Sequence, residues 1–188
     1  MTLELGQVDY VAQITRYQTH DKLLPLWQAI LAKDTPGWQP GRALEYLVLR
    51  AFQLEGAEVS WPFTIKNDGE DLEQIDGVLY IDGLACLMEC KDLQKRLTVE
   101  PIAKLRNQLL RRPGTTIGLL FSTSGFTEPA KELARFVAPQ TILLWQGREI
   151  AYCLEQQSFR LGLKLKYRWC IERAVPFYDL HTQGEDLP

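Results

Sequence analysis

Two apolar runs flank the dipeptide Asp82-Gly83 and form the clearest local pattern in the chain. The runs cover residues 75–81 (IDGVLYI) and 84–91 (LACLMECK), and both are rich in residues that favour β-strands. An Asp-Gly dipeptide between two such runs predicts a β-hairpin with a two-residue turn. Because the hairpin is apolar on both faces except at one end, we expect it in the middle of a sheet that is covered on both sides.

The charged end of this hairpin brings two acids and a lysine together. When the residues on either side of the turn pair with each other, Asp76 lies directly opposite Glu89, and Lys91 points to the same face. Opposed residues have Cβ atoms only about 4.5–5.5 Å apart, so the two carboxylates repel each other. A hard cation such as Mg²⁺ turns this repulsion into attraction and also binds phosphate oxygens. The alternative is that the strand ends simply meet water, with Lys91 in a surface salt bridge.

Helical and strand periodicities alternate along the rest of the chain. Residues 41–55 carry apolar side chains at spacings of three and four, which predicts a helix ended by Gly56. Residues 57–65 alternate between apolar and polar, which predicts one strand near a sheet edge because it contains Pro62. The pattern after the hairpin predicts a helix opened by Pro101, a strand over 116–122, a helix capped by Thr127, a strand over 141–145 and a helix over 148–156.

The order of these elements predicts an α/β fold, in which a mixed central β-sheet joins the antiparallel hairpin to parallel strands and carries helices on both faces. The first forty residues have the pattern of a helical extension, with Asp21 as a helix cap. Residues 161–169 fit a strand or a helix, and the i,i+4 pair of Arg168 and Glu172 favours the helix. The expected organisation is an N-terminal helical extension (1–40), a core (41–157) and a C-terminal extension packed on the core (158–188).

Composition limits the class of protein. With 188 residues and 46% hydrophobic content, the chain suits one well-packed domain with extra elements. No apolar run reaches the roughly 20 residues of a membrane span, and the N-terminus lacks a signal-peptide pattern, so we expect a cytoplasmic protein with no membrane partner. Four cysteines lack paired metal-ligand spacing, and two histidines offer little for a zinc site or a Ser/His/Asp triad.

Charge is distributed unevenly along the chain, although the formal net charge is −3. Basic residues gather between 91 and 112 and again between 160 and 173, where Lys164, Lys166 and Arg168 lie. Acidic residues concentrate over residues 68–73 and near the C-terminus. Basic surface beside a carboxylate site suits a polyanionic substrate, and the alternative for each cluster is a solvated helix face.

Glu45 on the predicted helix, Asp76 on a strand and residues 89–91 (ECK) resemble the PD-(D/E)XK nuclease superfamily. The resemblance extends over roughly residues 41–156. Three later segments are similar to the Mrr-type (type IV restriction endonuclease-like) catalytic domain: residues 118–127 (GLLFSTSGFT), the helix that follows them and residues 142–147 (ILLWQG).

This resemblance implies a restriction endonuclease-like core that hydrolyses DNA phosphodiester bonds with Mg²⁺, for which Mn²⁺ can substitute. Asp76 and Glu89 would ligate the metal, with the Cys90 carbonyl as a further ligand. Lys91 would orient the attacking water and stabilise charge that develops on the phosphate. Glu45 would hold a metal-bound water or a second ion, and its alternative role is that of an ordinary carboxylate at the edge of a helix.

Four further residues are candidates for substrate binding. Arg106 and Gln108 would contact phosphate, and the alternative is that both are ordinary surface residues. Ser122 and Thr123 end a predicted buried strand beside the site, where they would line it or serve in a cap or turn.

The leading hypothesis is therefore a Mg²⁺-dependent DNA endonuclease. A homodimer is one expectation, because many nucleases of this fold cut both strands as dimers. A second hypothesis is a catalytically silent module that kept the fold and binds nucleic acid or serves in assembly, since fold alone does not establish chemistry. A third is a nuclease that acts on RNA or on branched DNA, because a metal site recognises phosphate rather than sugar or sequence.

Overall fold

A computed structural model describes residues 9–137 and 139–182 of the chain. Helices and strands alternate through most of these residues. In chain order they are α1 (Tyr10–Thr15), α2 (His20–Leu31), α3 (Arg42–Leu54), β1 (Glu58–Ser60), β2 (Phe63–Asn67), β3 (Glu70–Ile75), β4 (Gly77–Ile81), β5 (Leu84–Lys91), α4 (Glu100–Leu109), β6 (Thr116–Ser122), α5 (Glu128–Phe136), β7 (Ile142–Gln146), α6 (Gly147–Gln156), α7 (Phe159–Arg173) and a 3₁₀ turn (Leu180–Thr182).

Five strands form the central sheet in the order β1-β4-β5-β6-β7. The strands β1, β4 and β5 pair antiparallel, whereas β5, β6 and β7 pair parallel, so the predicted mixed sheet is confirmed. Ile81 pairs with Leu84, as the predicted hairpin requires. The turn residues Asp82 and Gly83 have positive φ angles of 51° and 79°, which fits a type I′ turn.

Helices cover both faces of this sheet, as predicted. On one face, Leu79 and Met88 pack in a core with the apolar side chains of α2, α3, α6 and α7. On the other face, Leu87 and Leu120 pack with α4 and α5. The expectation that the hairpin is fully covered is wrong at Tyr80, which is 47% exposed.

The predicted single strand over residues 57–65 is two strands in two different sheets. The first, β1, ends at Ser60, and β2 begins at Phe63. Pro62 lies between them and has no N–H to donate, so the ladder of β1 on β4 cannot continue through it. Instead, β2 pairs with β3 in a separate two-stranded sheet, which we call the β2–β3 arm and which the sequence pattern did not predict.

The β2–β3 arm turns at Asp68-Gly69, where φ is positive at both residues (49° and 86°). An Asp-Gly dipeptide therefore forms the turn here as well as in the central hairpin. The strand β3 ends at Ile75 and β4 begins at Gly77, so Asp76 is the single residue between β3 of the arm and β4 of the central sheet. The predicted continuous strand over 75–81 is thus interrupted at Asp76.

Helices at both ends of the described chain pack on the core. The helix α2 packs on α3 and α6, and it begins at His20 with Thr19 rather than Asp21 in the N-cap position. The helical alternative for residues 161–169 is confirmed, because they lie within α7. No helix within residues 9–137 and 139–182 combines the length and the apolar character that crossing a membrane requires.

Lys166 is buried rather than part of a basic surface. It forms an ion pair with Glu149 at 2.5 Å, and neither side chain is exposed. It also donates hydrogen bonds to the carbonyl oxygens of Leu144 and Tyr178 at 2.7 and 2.5 Å. The prediction of a basic surface cluster is wrong for this residue, because it lies on the face of α7 that packs against β7 and α6.

Candidate active site

Asp76 lies where the β2–β3 arm meets the central sheet. It is only 5% exposed, and its Oδ2 accepts a hydrogen bond from the backbone N–H of Cys90 at 2.8 Å. The next residue, Gly77, lies so close to α3 that a Cβ there would be 2.7 Å from Leu49 Cδ1. Because Gly77 pairs with Met88, one more step of the register brings Asp76 to Glu89.

Glu89 is fully buried in β5 and accepts hydrogen bonds from two lysines. Its Oε1 accepts from Lys104 Nζ at 2.7 Å and also from Lys91 Nζ. Its Oε2 is buried and has no hydrogen-bond partner among the residues that the structure describes. A buried carboxylate oxygen without a partner is destabilising, so this atom is well placed to receive a ligand.

Burial and mutual repulsion act on the acids of this cluster. Burial raises the pKa of Asp76, and the neighbouring charge of Glu89 raises it further. Burial and the charge of Asp76 raise the pKa of Glu45 to about 7. Burial alone would lower the pKa of Lys91, but the charge and hydrogen bond of Glu89 outweigh it and the pKa is raised. The cluster therefore holds closely coupled acids next to a firmly protonated lysine.

Glu45 reaches the cluster from the first turn of α3. Its Oε2 accepts a hydrogen bond from Arg42 Nη1 at 2.7 Å, across one turn of the helix. When the Gln74 amide is oriented with its oxygen towards Arg42, that oxygen accepts from Arg42 Nη2 at 2.7 Å. Arg42 thus links Glu45 on α3 to the base of the β2–β3 arm.

The other predicted site residues divide into two groups. The Cys90 carbonyl lies in the cluster, where it accepts from Lys91 Nζ at 3.3 Å. Arg106 is exposed on α4, and Gln108 is buried and donates from Nε2 to the carbonyl of Gln74 at 3.2 Å. Gln108 therefore holds the arm against α4.

Ser122 and Thr123 form hydrogen bonds within the loops after β5 and β6. The Ser122 hydroxyl donates to the Gly125 carbonyl at 3.0 Å and accepts from the Gly125 N–H at 3.0 Å. The Thr123 hydroxyl donates to Asp92 Oδ1 at 3.0 Å. Among the described contacts, neither hydroxyl reaches Asp76 or Glu89, which fits the turn role that was the alternative for both.

The ligand atoms of the cluster can be compared with those that a divalent ion binds. No group of three or more His, Cys, Asp or Glu side chains within residues 9–137 and 139–182 is arranged to hold a metal. What the cluster offers is the Asp76 carboxylate, the unpartnered oxygen of Glu89 and the Cys90 carbonyl. All three are hard oxygen donors, and Mg²⁺ binds through one or two carboxylates and completes its shell with water and substrate oxygens. These residues therefore fit Mg²⁺ or Mn²⁺.

A protein-family model described as a restriction endonuclease, Mrr_cat, matches residues 39–154. The chain belongs to this restriction endonuclease family. The predicted resemblance to the Mrr-type catalytic domain is thus confirmed. The matched segment begins just before α3 and ends in α6, so the restriction endonuclease domain contains Glu45, Asp76, Glu89 and Lys91.

Comparisons with individual proteins add little to the family assignment. No curated protein matches the chain. A solved structure, that of the protein of unknown function AF1548, is 22% identical with a TM-score of 0.45. The similarity covers 54% of this chain, which spans 56% of the length of that protein.

Two residues of the restriction endonuclease domain contact the cluster without having been predicted as site residues. Arg42 could have been found from its i,i+3 spacing to Glu45 on one helix. From the sequence, Lys104 was only one of the basic residues between 91 and 112. No spacing along the chain indicates that the ammonium group of Lys104 on α4 reaches Glu89 on β5. That contact depends on how α4 packs on the sheet.

Proposed function

We propose that this restriction endonuclease-family chain is a Mg²⁺-dependent endonuclease that hydrolyses phosphodiester bonds of DNA. One observation carries the proposal. Asp76 and Glu89 are buried next to each other, Lys91 donates to Glu89, and one oxygen of Glu89 has no partner within the described residues.

In this proposal Asp76, Glu89 and the Cys90 carbonyl hold the ion, for which Mn²⁺ can substitute. A bound divalent ion supplies Lewis acidity to the scissile phosphate and makes water more acidic. Lys91 stays protonated beside Glu89, so its ammonium is placed to stabilise charge on the phosphate and to orient the attacking water. Glu45, whose pKa is raised to about 7, can accept a hydrogen bond from water at the edge of the cluster.

The energetic cost of the cluster argues for an active enzyme over a silent module. A buried oxygen without a partner costs about 1–3 kcal/mol, and apolar residues of similar shape would remove that cost. A module that only binds or assembles gains nothing from keeping these groups. The retained acids and lysine are explained by a reaction that uses them.

DNA is the proposed substrate because the surface beside the cluster is basic. On α4, Lys104 donates to Glu89 and is exposed, and Arg106 is exposed on the same helix. Lys95 and Arg96 are exposed in the segment that leads to this helix. Cationic side chains that neutralise phosphates give most of the affinity for a nucleic acid backbone. RNA and branched DNA share that backbone chemistry and are the alternative substrates. The homodimer and the cytoplasmic location remain predictions.

The test is plasmid cleavage by the wild-type protein and by Asp76→Asn. Asparagine keeps an oxygen that can accept from the Cys90 N–H but removes the negative charge. We expect Mg²⁺- or Mn²⁺-dependent nicking by the wild type, none with chelator, and a loss of about 100-fold or more in Asp76→Asn. Activity is followed as conversion of supercoiled to open-circle DNA.

Asp71→Asn is the matched control, since Asp71 lies on the exposed arm and, among the residues that the structure describes, forms an ion pair only with exposed Lys66 at 3.4 Å. It should cleave as the wild type does. Equal cleavage by Asp76→Asn and Asp71→Asn would reject the site. Absence of cleavage on duplex, single-stranded and branched substrates would favour the silent module.

A further inference from the structure

Among the described residues of the cluster, Lys104 is the most exposed of the three cations that bond to a buried acid. Its side chain is 50% exposed, whereas Glu89, to which it donates at 2.7 Å, is fully buried. Glu89 is its only hydrogen-bond partner among the described residues. By contrast, the Lys91 side chain is 29% exposed and donates to the Cys90 carbonyl as well as to Glu89.

The formal charges of the cluster balance in the absence of an ion. Three acids (Glu45, Asp76 and Glu89) face three cations (Arg42, Lys91 and Lys104). A divalent ion bound to Asp76 and Glu89 would add two positive charges at the point where two ammonium groups already lie. Coulomb repulsion then acts on the ammonium groups, and the less constrained one moves. Lys104 is that group, because it is the more exposed and forms a single hydrogen bond within the described part of the chain.

We propose, resting on the proposed function, that Lys104 is a phosphate-binding residue that stays on Glu89 until a divalent ion takes that carboxylate. Once released, the ammonium remains on the exposed face of α4, at the side of the cluster that a polyanion can approach. Lysine suits this role, because its flexible stem carries a compact charge that can change partners. Binding of the ion and binding of the DNA backbone are thereby coupled through one side chain.

The coupling is tested with Lys104→Met, which removes the ammonium and keeps an unbranched stem, and with Lys104→Arg, which keeps the charge. Lys22→Met is the matched control, because Lys22 is an exposed lysine on α2 and none of the described side-chain contacts joins it to the cluster. All measurements use the full chain.

The first measurement is calorimetric titration of Mn²⁺ without DNA. Since Lys104 competes with the ion for Glu89, Lys104→Met should bind Mn²⁺ roughly 2- to 5-fold more tightly than the wild type. Lys104→Arg and Lys22→Met should bind it about as the wild type does. Weaker or equal Mn²⁺ binding by Lys104→Met contradicts the competition.

The second measurement is the salt dependence of binding to a phosphorothioate duplex, which resists hydrolysis. With Mn²⁺, the log–log slope for Lys104→Met should be lower in magnitude by about 1 than that of the wild type. With chelator, the two slopes should agree, because Lys104 then lies on Glu89. An equal loss of slope under both conditions means a permanent DNA contact, and no loss under either means no contact, so both results overturn the inference.

Failure of this inference is distinguishable from failure of the proposed function. If the wild type binds Mn²⁺ and nicks DNA but Lys104→Met behaves like Lys22→Met, only the role of Lys104 is rejected. If the wild type binds no Mn²⁺ in the calorimeter and cleaves nothing, both are rejected.

Discussion

A glycine with no room for a methyl group sets the position of the Asp76 carboxylate. Gly77 does not require glycine for its backbone conformation, because its φ is not positive. It requires glycine because a Cβ would lie 2.7 Å from Leu49 Cδ1 and 2.8 Å from Cδ2. Close packing of β4 on α3 therefore helps to hold Asp76, the residue before Gly77, against Cys90 and Glu89.

Gly77→Ala should destabilise the protein by about 1–3 kcal/mol, the usual cost of overpacking a core. The free energy of unfolding is measured by chemical denaturation. Gly114→Ala is the control, because a Cβ at Gly114 would meet nothing within 4 Å, and it should change stability by less than about 1 kcal/mol. In a Leu49→Ala background the added cost of Gly77→Ala should shrink, and an unchanged cost would exclude the contact as its cause.

Among the secondary-structure elements, the β2–β3 arm depends on α4 for its position. Glu73 on β3 accepts from Arg111 at 2.6 Å and from Arg112 at 2.7 Å, just after the end of α4. Gln108 on α4 donates to the Gln74 carbonyl. Since Asp76 lies two residues after Gln74, these contacts also fix the chain that leads into the active site.

The Glu73 contacts predict a pH dependence of stability. Burial alone would raise the pKa of Glu73, but the hydrogen bonds and charges of Arg112 and Arg111 outweigh it and hold the pKa below its ordinary value of 4.5. A carboxyl group whose pKa is lower in the folded state stabilises the protein at pH values above its unfolded-state pKa. That stabilisation is lost as the pH falls through the folded-state pKa. Glu73→Gln should therefore be less stable than the wild type by about 1 kcal/mol at pH 7 and nearly equal to it below the folded-state pKa.

Denaturation curves at pH 7 and at about pH 3 measure this difference. Glu70→Gln serves as the control, because Glu70 is exposed near the tip of the arm and forms no ion pair within the described residues. It should show no such pH-dependent difference. A Glu73→Gln deficit of the same size at both pH values would mean that the ion pairs do not cause it.

The same elements show what the sequence could and could not reveal. The central hairpin was predictable because an Asp-Gly turn fixes register locally, and the register then brings Asp76 to Glu89. The arm was missed because Pro62 lies inside an alternating run, which hides the change of sheet. The Lys104 contact was missed because it joins α4 to β5, which are separate in sequence. Lys166 was wrongly predicted to be exposed, because its neighbours along α7 do not show which face of the helix is buried.

The whole molecule joins its terminal helices to the core through charged contacts. At the end of α2, Lys33 pairs with Asp92, the residue after Lys91, and Asp92 also accepts from Thr123. Glu55 at the end of α3 accepts from the N–H groups of Phe159 and Arg160 at 2.9 and 2.7 Å, which fixes the start of α7. The segment that follows α2 therefore contacts the loop beside the active site through Lys33.

Lys166→Met should be strongly destabilising, because it removes the cationic partner of the buried Glu149 side chain. Breaking a buried pair from one side typically costs about 3–5 kcal/mol. Exposed Lys164→Met is the control and should cost less than about 0.5 kcal/mol. Unfolding is again measured with denaturant. The double variant Lys166→Met/Glu149→Gln should recover part of the loss, and no recovery would show that the hydrogen bonds of Lys166 matter more than its charge.

The β2–β3 arm is anchored at one end and free at the other. Glu73 and Gln74 hold its base to α4, whereas Asp68 and Gly69 at its tip are exposed. Extra residues at the tip would lengthen the arm at a cost that grows only slowly with loop length. Because the base keeps its register, Asp76 would not shift. Insertions and deletions at this turn would therefore change the reach of the arm, in nature or in an engineered variant, while Asp76, Glu89 and Lys91 stay in place.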